Sequence, residues 1–187
     1  MTGHARLWLP RHVRDDVVAQ AQVHTPLETG GILLGYIASP GTPDAAGAVV
    51  VVGALGPGPQ AEHDGHLFAP DHDWQVAELA DRYERSDGVA GYVGDWHSHP
   101  LGTPVPSRQD LRTLRKIARH PAARLAAPTM LIIATLPSQE EEPRLRAWRG
   151  APRPLTGRIG WLALSGATEL PIVDVEYPSD FIDGLAK

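Results

Sequence analysis

Two histidines one residue apart are followed by a serine and an aspartate in the segment 94–110, GDWHSHPLGTPVPSRQD. Side chains two residues apart on an extended backbone point to the same side, so His97 and His99 would present both imidazole rings to one point. Pro100 ends the strand, and the loop after it could return Asp110 to that point on the first turn of a helix. Two histidines and one carboxylate leave a fourth tetrahedral position for water, which is the ligand pattern of a catalytic zinc site.

The same residues also have a purely structural interpretation. Ser107 and Asp110 fit the S-x-x-D capping box, in which each side chain satisfies a backbone N–H at the start of a helix. The two interpretations are compatible, because a serine that begins a helix can direct its hydroxyl into an adjoining site. The residues alone therefore do not decide between the metal-site and the capping-box interpretations. An imidazole-rich tetrahedral site favours zinc, with iron and manganese as alternatives.

A zinc hydrolase also needs a general base, which takes a proton from the attacking water and passes it to the leaving amine. Glu28, in the segment TPLETGGILLG, is the candidate. Thr25 and Glu28 match a helix-start pattern as well, but Gly30 and Gly31 ahead of an apolar run cannot sustain a helix. We therefore expect Glu28 at the mouth of a buried strand, beside the metal.

The overall composition excludes several classes of protein and of site. The chain has no cysteine, so disulfides, cysteine nucleophiles and cysteine-ligated zinc are ruled out. Its N-terminus lacks an apolar stretch of signal-peptide length, and no run approaches the roughly 18 apolar residues of a membrane helix, which predicts a cytoplasmic protein with no membrane partner. A net charge of −5 argues against a nucleic-acid partner, and the oligomeric state is left open.

Helical periodicity predicts three helices, over roughly residues 11–23, 71–86 and 107–120. The second is expected to begin at a capping Asp71 or Asp73. Its apolar residues on one face are Val76, Leu79, Ala80 and Tyr83.

Apolar, β-rich runs predict strands between these helices. They are expected within 5–10, 30–39, 48–55, 88–96, 129–136 and 144–150. The segment 56–70 is expected to be a turn-rich loop. Strands that alternate with helices, with hairpins mixed in, predict an α/β fold with a mixed β-sheet flanked by helices. A domain over 1–150 would then be followed by an extension, 151–187, packing on or beside it.

The segment ETGGILLG followed by GDWHSHPLGTPVPSRQD resembles the JAMM (MPN+) metalloprotease family in its bacterial form. That family's pattern is a Glu, then H-[ST]-H-P and an S-x-x-D whose serine follows the second histidine after seven residues. The likeness covers roughly residues 5–149 and implies an MPN/JAB (cytidine deaminase-like) fold. It also implies one catalytic zinc.

The resemblance assigns a role to each motif residue. His97, His99 and Asp110 look like the zinc ligands, and Glu28 looks like the general acid/base. Ser107 looks like the hydroxyl donor that steadies the tetrahedral oxyanion.

The resemblance further implies hydrolysis of peptide or isopeptide bonds, at the Gly-Gly terminus of a ubiquitin-like or sulfur-carrier protein. One alternative is a non-catalytic MPN-type binding module, although such proteins have typically lost a ligand or the Glu that this chain retains. Another is a RadC-like DNA-associated protein. Against it, Ser98 stands where that family typically has Asn, and the chain has only a short lead-in.

Four further features have weaker functional interpretations. Asp95 shares the phase of the two histidines and could orient one of them, whereas Trp96 is expected to pack in the core. His63 and His66 have H-x-x-H spacing but no evident third ligand. A basic stripe could be a solvated face or could dock an acidic partner. Its residues are Arg108, Arg112, Arg115 and Arg119.

Overall fold

The computed structural model describes residues 5–39, 47–63, 68–135, 142–154 and 162–176. The helices are α1 (Arg11–His24), α2 (His72–Arg85) and α3 (Arg108–Arg119), with a short 3₁₀ turn at Pro121–Ala123. The strands are β1 (Leu7–Pro10), β2 (Gly30–Ile37), β3 (Val49–Leu55), β4 (Glu62–His63), β5 (Phe68–Ala69), β6 (Gly91–Pro100), β7 (Thr129–Thr135), β8 (Arg144–Pro154), β9 (Leu162–Leu170) and β10 (Ile172–Val175).

Eight strands form one mixed sheet in the order β10-β1-β3-β2-β6-β7-β8-β9. The predicted hairpin β2–β3 is antiparallel, as are β2–β6 and β7–β8, whereas β6 and β7 are parallel. The predicted α/β fold with a mixed sheet flanked by helices is therefore confirmed. β9 and β10 stand at opposite ends of this order although only Pro171 separates them in the chain, so one segment joins the two edges.

The main core lies between α1 and one face of the sheet. Val13, Val17 and Ala21 are buried there, as their spacing predicts, and they pack with residues of β1, β3, β6 and β7. Full burial of a valine or leucine side chain contributes about 1.5–3 kcal/mol. On the opposite face, Leu114 of α3 packs against Met130 and Ile132 of β7.

The predicted apolar face of α2 is correct at Leu79 and wrong at its other three positions. Val76 and Tyr83 are each 51% exposed and Ala80 is exposed as well, whereas the helix packs on the sheet through Leu79 and through Trp74, which the prediction did not include. Gln75 is buried beside them because its side-chain amide donates to the carbonyl of Gly56 over 2.8 Å. A polar residue can thus replace an apolar one on a buried face once it finds a partner, and hydrophobic periodicity cannot anticipate that. Of the two candidate caps, Asp71 is the one that accepts from the N–H of Trp74.

Two further segments add detail to the predictions. The turn-rich loop 56–70 contains a small two-stranded sheet formed by β4 and β5. Beyond Gly150, β8 continues to Pro154, and β9 and β10 are hydrogen-bonded into the main sheet. Residues 136–141, between β7 and β8 in the chain, lie outside the described residues, as does His66. Among the described residues, none of the helices combines the length and the apolar character that a membrane crossing requires.

Candidate active site

The end of β6 carries both histidines on the face of the sheet that is covered by α3. His97 lies beside Ile132 of β7 in the sheet register, and Ile132 packs against α3. Because side chains alternate along a strand, Ser98 points to the other face, where it is fully buried. The Nε2 atoms of His97 and His99 approach to 2.9 Å, so the two rings converge on one point as their spacing predicts.

The first turn of α3 brings the carboxylate to the same point. Asp110 Oδ1 lies 3.4 Å from His97 Nε2, and Asp110 Oδ2 lies 3.3 Å from His99 Nε2. The capping box is also present: Ser107 Oγ accepts from the N–H of Asp110, and Asp110 Oδ2 accepts from the N–H of Ser107. Both interpretations of this segment therefore hold at once, since the hydrogen bonds that begin the helix also orient the carboxylate.

The spacing of these donors fits a tetrahedral metal site. Zinc binds imidazole nitrogen and carboxylate oxygen at about 2.0–2.1 Å, which puts neighbouring tetrahedral ligand atoms about 3.3 Å apart. The two histidine–aspartate distances of 3.4 and 3.3 Å match this edge, and the histidine pair at 2.9 Å is slightly closer. Among the described residues, His97, His99 and Asp110 form the one group of three or more potential ligands whose donor atoms all lie within 4.8 Å of one another.

The electrostatics keep the carboxylate in the form that binds cations. Burial raises the pKa of Asp110, but hydrogen bonds with His97 and His99, the charge of His97 and the N–H of Ser107 hold the pKa far below its usual value. Burial lowers the pKa of His99, but hydrogen bonds with Asp110 and the Thr103 carbonyl and the charges of Asp110 and Glu28 raise it overall. The carboxylate of Glu28 is thus within electrostatic reach of His99.

The outer nitrogen of His99 is held by a group that the sequence did not point to. Its Nδ1 lies 2.9 Å from the carbonyl oxygen of Thr103, which can only accept a hydrogen bond. Nδ1 therefore carries the proton, and the lone pair of Nε2 is left to face the metal position. The loop that supplies this carbonyl is itself tied to β8, since the indole of Trp148 donates to the carbonyl of Pro104 over 2.9 Å. No sequence signal marks a backbone acceptor, because every residue type offers one.

Glu28 lies two residues before β2, with its side chain exposed, and reaches the site through strand pairing. Thr29 and Ser98 exchange hydrogen bonds: Thr29 N donates to Ser98 Oγ over 2.9 Å, and Ser98 N donates to Thr29 O over 2.8 Å. Gly30 is the register partner of His97. A Cβ on Gly30 would lie 2.9 Å from the Cβ of His97 and 2.5 Å from the carbonyl oxygen of Trp96. The glycine after Glu-Thr thus permits the close approach of β2 to the histidines.

Ser107 sits at the rim of the site with a hydroxyl that still has a proton to donate. Its oxygen accepts from the N–H of Asp110 over 3.2 Å. A serine hydroxyl has one donor in addition to its acceptor lone pairs. Capping therefore leaves the O–H available for a reacting group.

Of the residues with weaker interpretations, Trp96 is in the core at 1% exposure, as expected. Asp95 accepts a hydrogen bond from the hydroxyl of Tyr92 over 2.7 Å. Burial raises the pKa of Asp95, against the lowering effects of Tyr92 and of the His97 charge. His63 contacts the carbonyl of Glu28.

The basic stripe runs along the whole length of α3, from Arg108 to Arg119. A shallow pocket of about 390 Å³ there is lined by Arg112, Arg115, Lys116, Arg119, His120 and Pro121. A second pocket, of about 480 Å³, adjoins the loop that holds His99. Its lining residues are Thr103, Pro104, Val105, Arg144, Leu145 and Arg146.

Comparison with known proteins agrees with this geometry. A family model described as prokaryotic homologues of the JAB domain matches residues 10–150. A Sinorhizobium fredii protein named as a probable metalloprotease, y4qB, is 34% identical over 128 residues, which cover 68% of this chain and 74% of that protein. An Enterobacter hormaechei protein named CD-NTase/cGAS isopeptidase is 29% identical over 125 residues, covering 59% of this chain and 57% of that protein.

The fold is shared with a protein of Desulfitobacterium hafniense whose solution structure is known. The two superpose with a TM-score of 0.62 at 20% identity, over 94% of this chain and 97% of the other. The family match spans both the Glu28 segment and the 94–110 segment, and it extends over most of the chain. The chain is therefore a member of the JAB (JAMM/MPN) family.

Proposed function

We propose that the protein is a zinc-dependent metallopeptidase or isopeptidase that cleaves at the C-terminal Gly-Gly of a ubiquitin-like or sulfur-carrier protein. The observation that carries this proposal is the meeting of His97, His99 and Asp110 at tetrahedral ligand spacing, within electrostatic reach of Glu28. A zinc ion held there would supply Lewis acidity and lower the pKa of a bound water.

Glu28 would act as the general acid/base. Its carboxylate has no hydrogen-bond or ion-pair partner among the residues that the structure describes, so an oxygen is free to take a proton from the attacking water. The same oxygen would then deliver that proton to the departing amine. General acid–base catalysis of this kind contributes on the order of 10²–10⁴ in rate.

Ser107 would stabilise the charge that develops on the carbonyl oxygen of the substrate. The hydrogen bond from the N–H of Asp110 holds the Ser107 oxygen in place and leaves its O–H proton to donate to the substrate. A donor that is already held in position stabilises the developing negative charge more than a mobile donor does, because it does not have to reorient during the reaction.

The choice of substrate rests on two supports. The Enterobacter hormaechei relative is named as an isopeptidase, which favours a bond between a polypeptide terminus and an amine. The substrate's terminal segment would lie extended and be fixed by main-chain hydrogen bonds, and a Gly-Gly terminus suits that arrangement because it has no side chains to obstruct it. We propose no nucleic-acid or membrane partner, and a cytoplasmic location.

The test uses a panel of ubiquitin-like and sulfur-carrier proteins that end in Gly-Gly, each fused through its terminal glycine to a fluorescent protein. We expect the zinc-loaded enzyme to release the fluorescent protein with cleavage directly after Gly-Gly, measured by intact mass. The chelated enzyme and the Glu28→Gln variant should both fail to do so. Tight binding of a fusion without cleavage would instead favour the non-catalytic module, and salt-sensitive DNA binding would favour the RadC-like alternative.

A further inference from the structure

His63 lies next to the proposed general base, although it is neither one of the three proposed metal ligands nor part of the family pattern described above. Its Nδ1 is 2.9 Å from the carbonyl oxygen of Glu28, across 35 residues of chain. A carbonyl oxygen only accepts hydrogen bonds, so the ring must carry its proton on Nδ1. The contact therefore specifies one tautomer of His63.

The ring of His63 is fixed in a stack of three aromatic rings. It lies on His24, the last residue of α1, with centroids 4.4 Å apart and planes inclined by 27°. Phe68 of β5 packs near its ring with centroids 5.3 Å apart and an inclination of 29°. His24 is itself anchored, since its Nδ1 lies 2.9 Å from the carbonyl of Gln20. The stack therefore joins the end of α1 to the antiparallel pair of strands β4 and β5.

The loop that precedes β4, the strand that carries His63, is also held in place. Asp71, the cap of α2, accepts from the N–H of Gln60 over 3.1 Å, and its own N–H donates to the carbonyl of Pro57 over 2.8 Å. The imidazole is consequently held by α1 on one side and, through this loop, by α2 on the other.

The backbone at Glu28 and Thr29 is therefore held by hydrogen bonds from two different parts of the chain. His63 holds the carbonyl of Glu28, and Ser98 holds the N–H and carbonyl of Thr29. Phe68 adds a steric limit, because its ring edge lies 3.0 Å from where a Cβ on Gly30 would be. The Glu28 carboxylate itself has no partner among the described residues, so its position depends on these backbone contacts.

We propose that His63 is a positioning residue: its Nδ1–H holds the Glu28 peptide so that the carboxylate stays aligned with the metal site. This inference rests on the proposed function, in which Glu28 moves the protons. The purpose of the aromatic stack is then to keep the imidazole in the plane from which it can donate.

Two variants separate the hydrogen bond from the packing. His63→Phe keeps a ring for the stack but removes the donor, whereas His63→Asn keeps an N–H donor near the position of Nδ1 but removes the ring. On a cleaved Gly-Gly fusion we expect His63→Phe to lower kcat by on the order of 10- to 100-fold, as for a small misplacement of a catalytic group. KM and bound zinc should be unchanged. His63→Asn should recover most of kcat, and His72→Phe, at an exposed position on α2, is the control.

Two measurements decide the inference without hydrolysis. The ¹⁵N shifts of the His63 ring at pH 8 should show the Nδ1–H tautomer. Amide hydrogen exchange over residues 27–30 should be faster in His63→Phe than in the parent and should return toward the parent rate in His63→Asn. An Nε2–H tautomer, unchanged exchange, or a His63→Phe variant with parental kcat would each overturn the proposal. If the parent cleaves no fusion, the proposed function fails, while tautomer and exchange still decide whether His63 holds this segment.

Discussion

The two halves of the site are built in opposite ways. In the proposed metal-binding half, His97, His99 and Asp110 contact one another directly, with donor atoms 2.9–3.4 Å apart. In the half that carries Glu28, the carboxylate is exposed and has no partner among the described residues, and only the backbone is held. The proposed ligands are thus fixed through their side chains, whereas the proposed base is fixed through its peptide units.

The chemistry of the two roles explains the difference. A carboxylate that accepts several hydrogen bonds is stabilised as the anion and becomes a weaker base, as the strongly lowered pKa of Asp110 illustrates. That suits a ligand, which must stay ionised. A general base must instead take and release a proton in each cycle, so a carboxylate free of competing donors is better suited to the task. Backbone contacts can position such a group without consuming its oxygens.

The largest effect is expected from breaking the metal-binding half. His99→Ala removes one of three ligands, so we expect loss of stoichiometric zinc and a fall in kcat/KM of at least about 10³-fold, since both the Lewis acid and the activated water depend on the metal. Elemental analysis and hydrolysis of a Gly-Gly fusion measure the two losses. His12→Ala, at an exposed position on α1, should change neither. Full zinc occupancy in His99→Ala would show that the ligand set is misassigned.

Breaking the other half should separate chemistry from metal binding. Glu28→Gln keeps the size and the backbone contacts but removes the base, so kcat should fall by about 10²–10⁴ while zinc content stays at the parental level. Zinc content and kcat should both be measured on the same preparation of the Glu28→Gln variant. Parental turnover in this variant would mean that another group moves the proton.

A smaller effect is expected at Ser107, which belongs to both helix and site. Ser107→Ala should lower kcat by about 10²-fold through loss of the oxyanion donor. It should also destabilise the fold by about 1 kcal/mol through loss of the cap. Ser107→Thr retains a hydroxyl and should recover most of both, as judged by steady-state kinetics and urea unfolding. If Ser107→Ala loses stability but not kcat, the serine is only a cap.

The smallest catalytic effect should come from Ser98, which links the two halves from the buried face. Ser98→Ala leaves the Thr29 N–H without its side-chain acceptor in a fully buried position, at a cost of about 1–3 kcal/mol in the free energy of unfolding. The Ser98 N–H to Thr29 carbonyl bond remains, so we expect only a few-fold loss of kcat and no loss of zinc. Chemical denaturation followed in parallel with kinetics tests this. If Ser98→Ala lost as much kcat as Glu28→Gln, Ser98 alone would position this segment, and the inference that His63 shares that role would be contradicted.

Local patterns predicted the elements of the fold better than their packing. The four-residue recurrence of Val13, Val17 and Ala21 correctly identified the buried face of α1. The same apolar spacing gave the wrong buried residue on α2. There Gln75 is buried, with its amide hydrogen-bonded to the Gly56 carbonyl, and Val76 is exposed. Such pairings depend on which distant carbonyl happens to face the helix, and a one-dimensional pattern carries no information about that.

The sequence by itself determined those local contacts of the site that follow from a regular residue spacing. The alternation of an extended strand aims His97 and His99 at one point, and the three-residue spacing of a capping box ties Ser107 to Asp110. Only the tertiary structure decided what surrounds Glu28, because His63 contacts Glu28 from 35 residues away and Ser98 contacts Thr29 from 69 residues away. Local geometry follows from backbone sterics over a few residues, whereas strand register and ring stacking follow from how the whole sheet and its helices pack.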